Sequence, residues 1–481
     1  MNPYLNLRSV RRVLITLLLI ILLVAIIFGV RTKSHLDSFV DNLKSSASMT
    51  VTSESASTLS KDVNQALKVT NLPLIKQIFE ILNLNFVPIK DELDILLKVS
   101  PALIGVDQPK KYLIAFQNSA EARGTGGILG AYAIVESNKG SLKVIETASN
   151  EPLYGSSLEK IPIDVPDEYR RLYGENPAIL QNSNLSPHFP YGAEIWLALW
   201  KKEFDQTLDG VIAIDPTALS YILRSTGPIT LDSGEKITSE NLVADTLKDA
   251  YQRFEKDNKA RKQYLVDIMN TTVKHLNSGD YSKLKMAKAI RDGIVANRIL
   301  FYSTDQSAQK QLSQTRLGGF MSLDSNNEFR TVIQNIDAGK LDYYLDRDVT
   351  IESKSCEKLR QTQVRVRVTN TLKSATGLSS YVLTRADKGK PASLISGSHR
   401  FKVFIYGPTD SRLMSVSREN QKADLGGASV ERKRPIYVTD VDLAPGESEE
   451  LLANFSGGVG NITFVDQPLV QVTKISIKDK C

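Results

Sequence analysis

Residues 13–30, VLITLLLIILLVAIIFGV, form an uncharged apolar run, close to the ~20 residues a helix needs to cross a bilayer. A segment apolar on every side belongs in lipid, so the rest of the chain must fold alone while tethered at one end. Arg8, Arg11 and Arg12 precede the run and Arg31 and Lys33 follow it. The positive-inside bias then leaves residues 1–12 as a cytoplasmic tail and places the bulk of the chain outside, as a single-pass protein of the plasma membrane. A cleavable signal peptide is the competing reading. It calls for a shorter apolar region and a small-x-small site, and FGVRTKSHL offers none. No cysteine stands directly after the run, so a lipoprotein site is also lacking.

Both cysteines, Cys356 and Cys481, lie beyond that span. Outside the cytoplasm an isolated pair favours a disulfide over a metal site. Such a bridge would close a loop of more than a hundred residues, worth ~4 kcal/mol in the chain-entropy model. Two unpaired thiols are the alternative, because sequence does not show proximity. The 481 residues are 42% hydrophobic and 24% charged, enough for two packed domains besides the anchor. The net charge of +6 comes with no basic block, which argues against a nucleic-acid binder.

Residues 31–59 are rich in Ser, Thr, Asp and Lys and read as a stalk. Residues 60–105 carry apolar residues at three- and four-residue spacing, interrupted by Pro73, Pro88 and Pro101, and read as short helices. From 106 to 345 the pattern alternates. KYLIAFQN, ILGAYAIVE and SLKVIETAS are strand-like, the last two joined by the turn SNKG; YGAEIWLALWKKEF is helical and LDGVIAIDP a buried strand. PTALSYILRST follows as a helix with Asp215 as N-cap before Pro216. Helices over 239–276 and 283–296 precede the strand RILFYST. The expectation is an α/β domain, a mixed sheet flanked by helices. From 346 to 481, short alternating runs such as QVRVRVTNT, RFKVFIYGP and LVQVTKISI predict an all-β, immunoglobulin-like sandwich.

Chemistry has few carriers. The four histidines, His35, His188, His275 and His399, form no zinc motif, and neither a G-x-S-x-G elbow nor a Walker loop occurs. Arginines remain, with carboxylates that could hold magnesium. Arg253, Asp257 and Arg261 are spaced by four and would share one face if YQRFEKDNKARKQYL is a continuous helix. Guanidinium groups fork onto phosphate oxygens and a carboxylate can orient them; the same ladder is also a common solvated helix face. Trp196 and Trp200, at helical spacing, are read as core. In FQNSAEARGTGGILGAY, Arg123 ends a strand beside Gly124, Gly126 and Gly127. Glycines let backbone approach a phosphate, so Arg123 is read as an anion contact converging with Arg253 and Arg261. A buried ion pair beside a tight turn is the competitor.

Taken together, YLIAFQNSAEARGTGGILGAYAIV, SNLSPHFP, LDGVIAIDPTALSYILRSTGPITL, KLDYYLDRDV and LAPGE resemble the bacterial envelope family catalogued as domain of unknown function 4012. More distantly, IAIDPTALSYILRSTGPITL, YQRFEKDNKARKQ and RGTGG are similar to segments of the LytR-CpsA-Psr family, membrane-anchored α/β proteins that transfer glycan-phosphate from a polyprenyl-pyrophosphate carrier to the cell wall. This second resemblance implies phosphate-binding roles for Arg253 and Arg261, a supporting role for Asp257, a polyprenyl-phosphate or wall-glycan partner, and magnesium as the metal. It also shows departures. Thr125 stands where that family has an aspartate, and TASNEP replaces a segment with an acid and an arginine. Two functions stay open on this reading: a glycopolymer transferase acting on a lipid-linked phosphate, and a non-catalytic assembly, scaffold or adhesion protein that keeps the fold.

Overall fold

A computed structural model describes residues 90–481 apart from 139–140, 164, 175, 279–280, 356–358, 386–394, 419–420 and 423–426, together with 34–35, 38, 54–55, 57–58 and 61–62. The expected membrane span at 13–30 lies outside the described residues, as do the cytoplasmic tail and most of the stalk and short helices. Among the described residues no helix is long and apolar enough to cross a membrane.

The chain divides into two compact units. The first holds residues 1–110, 136–143 and 310–315. Its helix α1 (Lys90–Leu103) carries Pro101 in its last turn, and Ser137 Oγ donates to the carbonyl of Ile104 at 3.0 Å. The second unit holds 111–135, 144–309 and 316–481, so the expected α/β and sandwich regions form one compact body.

The unbroken apolar run YLIAF makes a strand covered on both faces. β1 (Lys110–Arg123) lies between β2 (Gly126–Asn138) and β4 (Gly210–Ile214) in a five-stranded sheet of order β3-β2-β1-β4-β5, with β3 at Ser141–Ser149 and β5 at Ile299–Ser303. β1 and β4 run parallel with Tyr112 opposite Gly210, whereas β4 and β5 are antiparallel. The sheet is therefore mixed, as expected.

On one face Leu113, Ala115, Tyr132, Ile134, Val211 and Ala213 pack with helices α2 (Asp167–Tyr173) and α3 (Phe189–Phe204). Trp196 and Trp200 of α3 are fully buried there. On the opposite face lie Tyr112, Phe116, Ala131 and Ala133. Helix α4 (Pro216–Thr226) begins where Asp215 caps it, its carboxylate accepting from Ala218 N at 2.7 Å. Downstream, one expected helix is several: Leu242–Ala244, a π-helical turn at Asp245–Asp249, α5 (Ala250–Arg253) and α6 (Asn258–Ser278). Helix α7 (Lys283–Val295) follows, with Ser282 as its cap.

Two sheets share the remaining core. The first, of five strands, has order β12-β13-β9-β6-β15, with β6 Glu328–Asn335, β9 His399–Tyr406, β12 Ala428–Glu431, β13 Arg434–Leu443 and β15 Thr463–Val465. The second, of six strands, has order β11-β10-β14-β8-β7-β16, with β7 Leu345–Ser355, β8 Gln361–Asn370, β10 Arg412–Arg418, β11 Gln421–Lys422, β14 Ser448–Ser456 and β16 Lys474–Lys478. Val349, Val364, Val366 and Phe455 of the second meet Phe329, Phe401 and Val403 of the first. β6 pairs antiparallel with β9, so the sandwich sheet takes in residues upstream of the expected boundary at 346. The other face of that sheet, through Val332, Phe404, Tyr406 and Ile436, joins the core of α2 and α3. Because this sheet is buried on both sides, the α/β layer and the sandwich are not independent beads on a string.

Candidate functional site

The RGTGG segment is a tight turn. β1 ends at Arg123 and β2 starts at Gly126, and a two-residue connection between neighbouring strands reverses the chain. A Cβ on Gly124 would lie 2.2 Å from the carbonyl oxygen of Leu185 and one on Gly127 would lie 2.1 Å from that of Asn118. The glycines thus admit neighbouring backbone. Thr125 Oγ1 donates to Gln117 Oε1 at 2.8 Å and accepts from Asn184 Nδ2 at 2.7 Å. It is wired into the SNLSPHFP segment, whose Ser186 donates to the buried Glu431 at 2.6 Å and whose His188 Nδ1 accepts from Met321 N at 3.1 Å. Burial holds that imidazole well below its usual pKa, in its neutral form.

Arg123 is 4% exposed and makes four hydrogen bonds. Its Nε donates to Gln181 O at 2.8 Å, Nη1 to Ala122 O at 2.9 Å and Asn335 O at 3.1 Å, and Nη2 to Glu121 Oε1 at 3.0 Å. The other oxygen of Glu121 pairs with the buried Lys340. Burial alone would raise the Glu121 carboxyl, but Lys340 and then Arg123 outweigh it and hold the pKa below the usual range. Arg123 is therefore a buried ion-pair and backbone clamp.

Nor do Arg253, Asp257 and Arg261 form one ladder, because the helix breaks. Phe254 ends α5 at φ −110°, ψ 32°, and Asp257 restarts the helix by accepting from Ala260 N at 2.8 Å. Arg253, half exposed, donates to Glu235 Oε2 at 2.8 Å and lies 5.0 Å from the ring of Tyr264. Arg261 turns inward and is 6% exposed. Its guanidinium carbon lies 4.4 Å from the ring centre of Tyr251 and 5.0 Å from that of Tyr381, and it donates to the side-chain oxygen of Asn258. Those two rings stack 5.5 Å apart at 20°. No carboxylate within ion-pair distance accompanies Arg261 among the described residues.

Arg261 borders a cavity of about 340 Å3. Phe116, Ile128 and Ala131 of the sheet form its floor, Leu265, Ile268 and Met269 of α6 one wall, and Leu219, Leu242, Thr246 and Leu247 another. The last two belong to the π-helical turn, a feature that often accompanies functional sites. At the polar end stand Asn118, Glu121, Tyr251, Arg261, Lys340 and Tyr381. Asn118 Nδ2 donates to Tyr251 OH at 2.6 Å, and Lys340 Nζ lies 5.4 Å from the Tyr381 ring centre. Burial pulls the Lys340 ammonium toward neutrality, but Glu121 outweighs it and keeps the group charged. Lys262, also on the rim, pairs with the exposed Glu151 at 2.9 Å.

Of the residues expected to converge, only Arg261 reaches this cavity; Arg123, Thr125, Arg253 and Asp257 do not line it. Glu121, Lys340, Tyr251 and Tyr381 were not anticipated. Glu121 and Lys340 at least stood inside the segments that carry the family resemblance, SAEARGTGG and KLDYYLDRDV. Magnesium does not fit here. Among the described residues Glu121 is the one carboxylate on the cavity wall, both its oxygens are engaged by cations, and a hard cation needs several free oxygens. Among the described residues no group of three His, Cys, Asp or Glu is placed to hold a metal.

Residues 107–251 match the model of a family described as a protein of unknown function, DUF4012. These residues are a DUF4012 region of the chain. The DUF4012 segment contributes Phe116, Asn118, Glu121, Leu219, Leu247 and Tyr251 to the cavity, while Arg261, Lys340 and Tyr381 come from beyond it. No curated protein matches the chain. Among solved structures, a "putative nutrient binding protein" from Legionella pneumophila subsp. pneumophila str. Philadelphia 1 is similar at 8% identity and a TM-score of 0.14, with 28% of this chain and 43% of that one covered. The chain thus spans less than half of that relative, and a likeness at this score carries no argument about DUF4012 function.

Proposed function

We propose that this DUF4012 protein binds the phosphate end of a polyprenyl-linked lipid at the outer face of the plasma membrane, held there by residues 13–30. The observation that carries the reading is the apolar cavity ending on Arg261, a buried guanidinium supported by two tyrosine rings and one amide but, among the described residues, by no carboxylate. A buried charge without a counter-charge is costly, and an anionic ligand would offset that cost. At about 340 Å3 the cavity lies near the lower end of ligand pockets, roughly 300–1,000 Å3. It suits the head end of a chain, with the remainder left in the bilayer. The likeness to LytR-CpsA-Psr proteins points to the same lipid class.

Binding without transfer is favoured over glycopolymer transfer. Where those transferases place an acid after their first arginine, this chain has Thr125, bonded to Gln117 and Asn184. Phosphoryl chemistry without such charge stabilisation loses most of its rate. The sandwich is then an immunoglobulin-like surface offered to wall glycans or assembly partners.

The Cys356–Cys481 bridge belongs to the same extracytoplasmic reading. Cys356 lies outside the described residues, and Cys481 carries no free thiol. β16 runs parallel to β7 with Lys478 opposite Glu352, and Asp479 accepts from Ser353 Oγ at 3.0 Å and Arg360 Nη2 at 2.9 Å. The chain end is thereby tied beside the strand that leads to Cys356. Alkylation of both cysteines in unreduced, denatured protein would count against the bridge.

The test of function is mass spectrometry of lipid carried by the full chain in detergent. Enrichment of polyprenyl phosphate that is lost in Arg261→Gln is expected. Bulk phospholipid in membrane proportions, unchanged by Arg261→Gln, would overturn the reading.

A further inference from the structure

Two buried cations, Lys340 and Arg261, line the polar end of the cavity, and among the described residues one carboxylate on the wall, Glu121, pairs with Lys340 and also with the buried Arg123, which is not on the wall. The next buried carboxylate, Asp342, is not on the wall. It accepts from Ala122 N at 3.1 Å and Asn335 Nδ2 at 2.6 Å and faces His399 at 3.4 Å. Lys262 is already paired with Glu151. The wall therefore presents Arg261 without an ion partner and Lys340 with half of one, and both lie beside the ring of Tyr381, at 5.0 and 5.4 Å. A single negative charge would satisfy Arg261 alone.

Resting on the lipid-phosphate reading, we infer that the bound group is a phosphate monoester in its dianionic form, seated between Arg261 and Lys340 beside Tyr381. A guanidinium matches two phosphate oxygens at once and an ammonium adds a point charge on a third. A phosphodiester or a carboxylate carries one charge too few and leaves Lys340 dependent on its shared carboxylate. Glu121 keeps Lys340 charged, and the second charge of the ligand completes its neutralisation.

The test measures binding of three probes to the full chain in detergent at pH 8, above the second phosphate pKa of about 6. They are farnesyl phosphate, its methyl diester, and inorganic phosphate as competitor. Farnesyl phosphate should bind about tenfold or more tightly than the diester, the size expected of one charge-assisted contact. Lys340→Met should abolish that preference while the diester still binds. If this variant does not fold, the ratio measured on the unaltered chain decides the question. Equal affinity for monoester and diester would overturn the dianion assignment and leave the lipid reading standing. Binding of neither would remove both. Displacement by inorganic phosphate at concentrations equal to farnesyl phosphate would keep the dianion and assign the site to free phosphate, removing the lipid.

Discussion

Arg123 and Arg261 are almost equally buried, yet their surroundings differ in kind. Arg123 at the end of β1 donates to three backbone carbonyls and a carboxylate, whereas Arg261 in the first turn of α6 has two aromatic faces and one amide oxygen. The first has its charge and donors answered by the protein. The second is held in place by rings that support a cation without neutralising it. Burial of an arginine is thus a poor guide to a binding site, and the missing counter-charge a better one.

The comparison is broken most directly at Arg123. Arg123→Ala should cost ~3–5 kcal/mol of stability, the range for breaking a buried ion pair, read as a lower denaturant midpoint; a variant as stable as the parent would show that Arg123 is no clamp. The same pair predicts an acid dependence. Because the folded pKa of Glu121 is lowered, its contribution is complete above the unfolded glutamate pKa, roughly 4.3, and disappears as pH falls through the folded value. Arg123→Ala should flatten that limb of the stability–pH profile.

Gly124→Ala probes the turn without touching charge. Its Cβ would overlap the Leu185 and Ser186 backbone, so a loss of ~1–3 kcal/mol is expected from overpacking. A fully stable Gly124→Ala protein would show that this contact gives way easily.

Arg261→Gln sharpens the contrast from the other side. Lipid-phosphate affinity should fall about tenfold, ~1.4 kcal/mol, while the melting temperature without ligand stays level or rises, because an uncompensated buried charge is removed. A clear fall in melting temperature would place Arg261 with Arg123 as a structural residue. The smallest effect is expected at Arg253, whose half-exposed pair with Glu235 should contribute below ~1 kcal/mol. Arg253→Ala should leave lipid binding unchanged, and weakened binding would return it to the site.

Much of the local structure was legible because it depends on neighbours in sequence. Asp215 before Pro216 announced a helix start, and Trp196 and Trp200 at helical spacing announced a buried face. YQRFEKDNKARKQYL misled because periodicity does not reveal that Phe254 ends one helix and Asp257 caps the next, so residues spaced by four do not share a face. The site was half legible. Arg261 was singled out and does line the cavity, but its neighbours there were not foreseen, since Lys340 and Tyr381 stand 79 and 120 positions further along the chain.

By itself the sequence determined the strand and helix types of the central region, the sandwich periodicity, the DUF4012 character of residues 107–251 and the presence of arginines of a type suited to phosphate. Those properties follow from side-chain period, capping and composition, which act within a few residues. Only the tertiary structure decided which arginine is spent on the fold and which faces a cavity. That choice depends on where Glu121, Asn335 and Gln181 come to rest around Arg123, and Tyr251 and Tyr381 around Arg261. Hydrogen bonds and ion pairs act through space over a few ångströms, and contacts between residues far apart in the chain exist only once the sheet, α6 and the sandwich have packed.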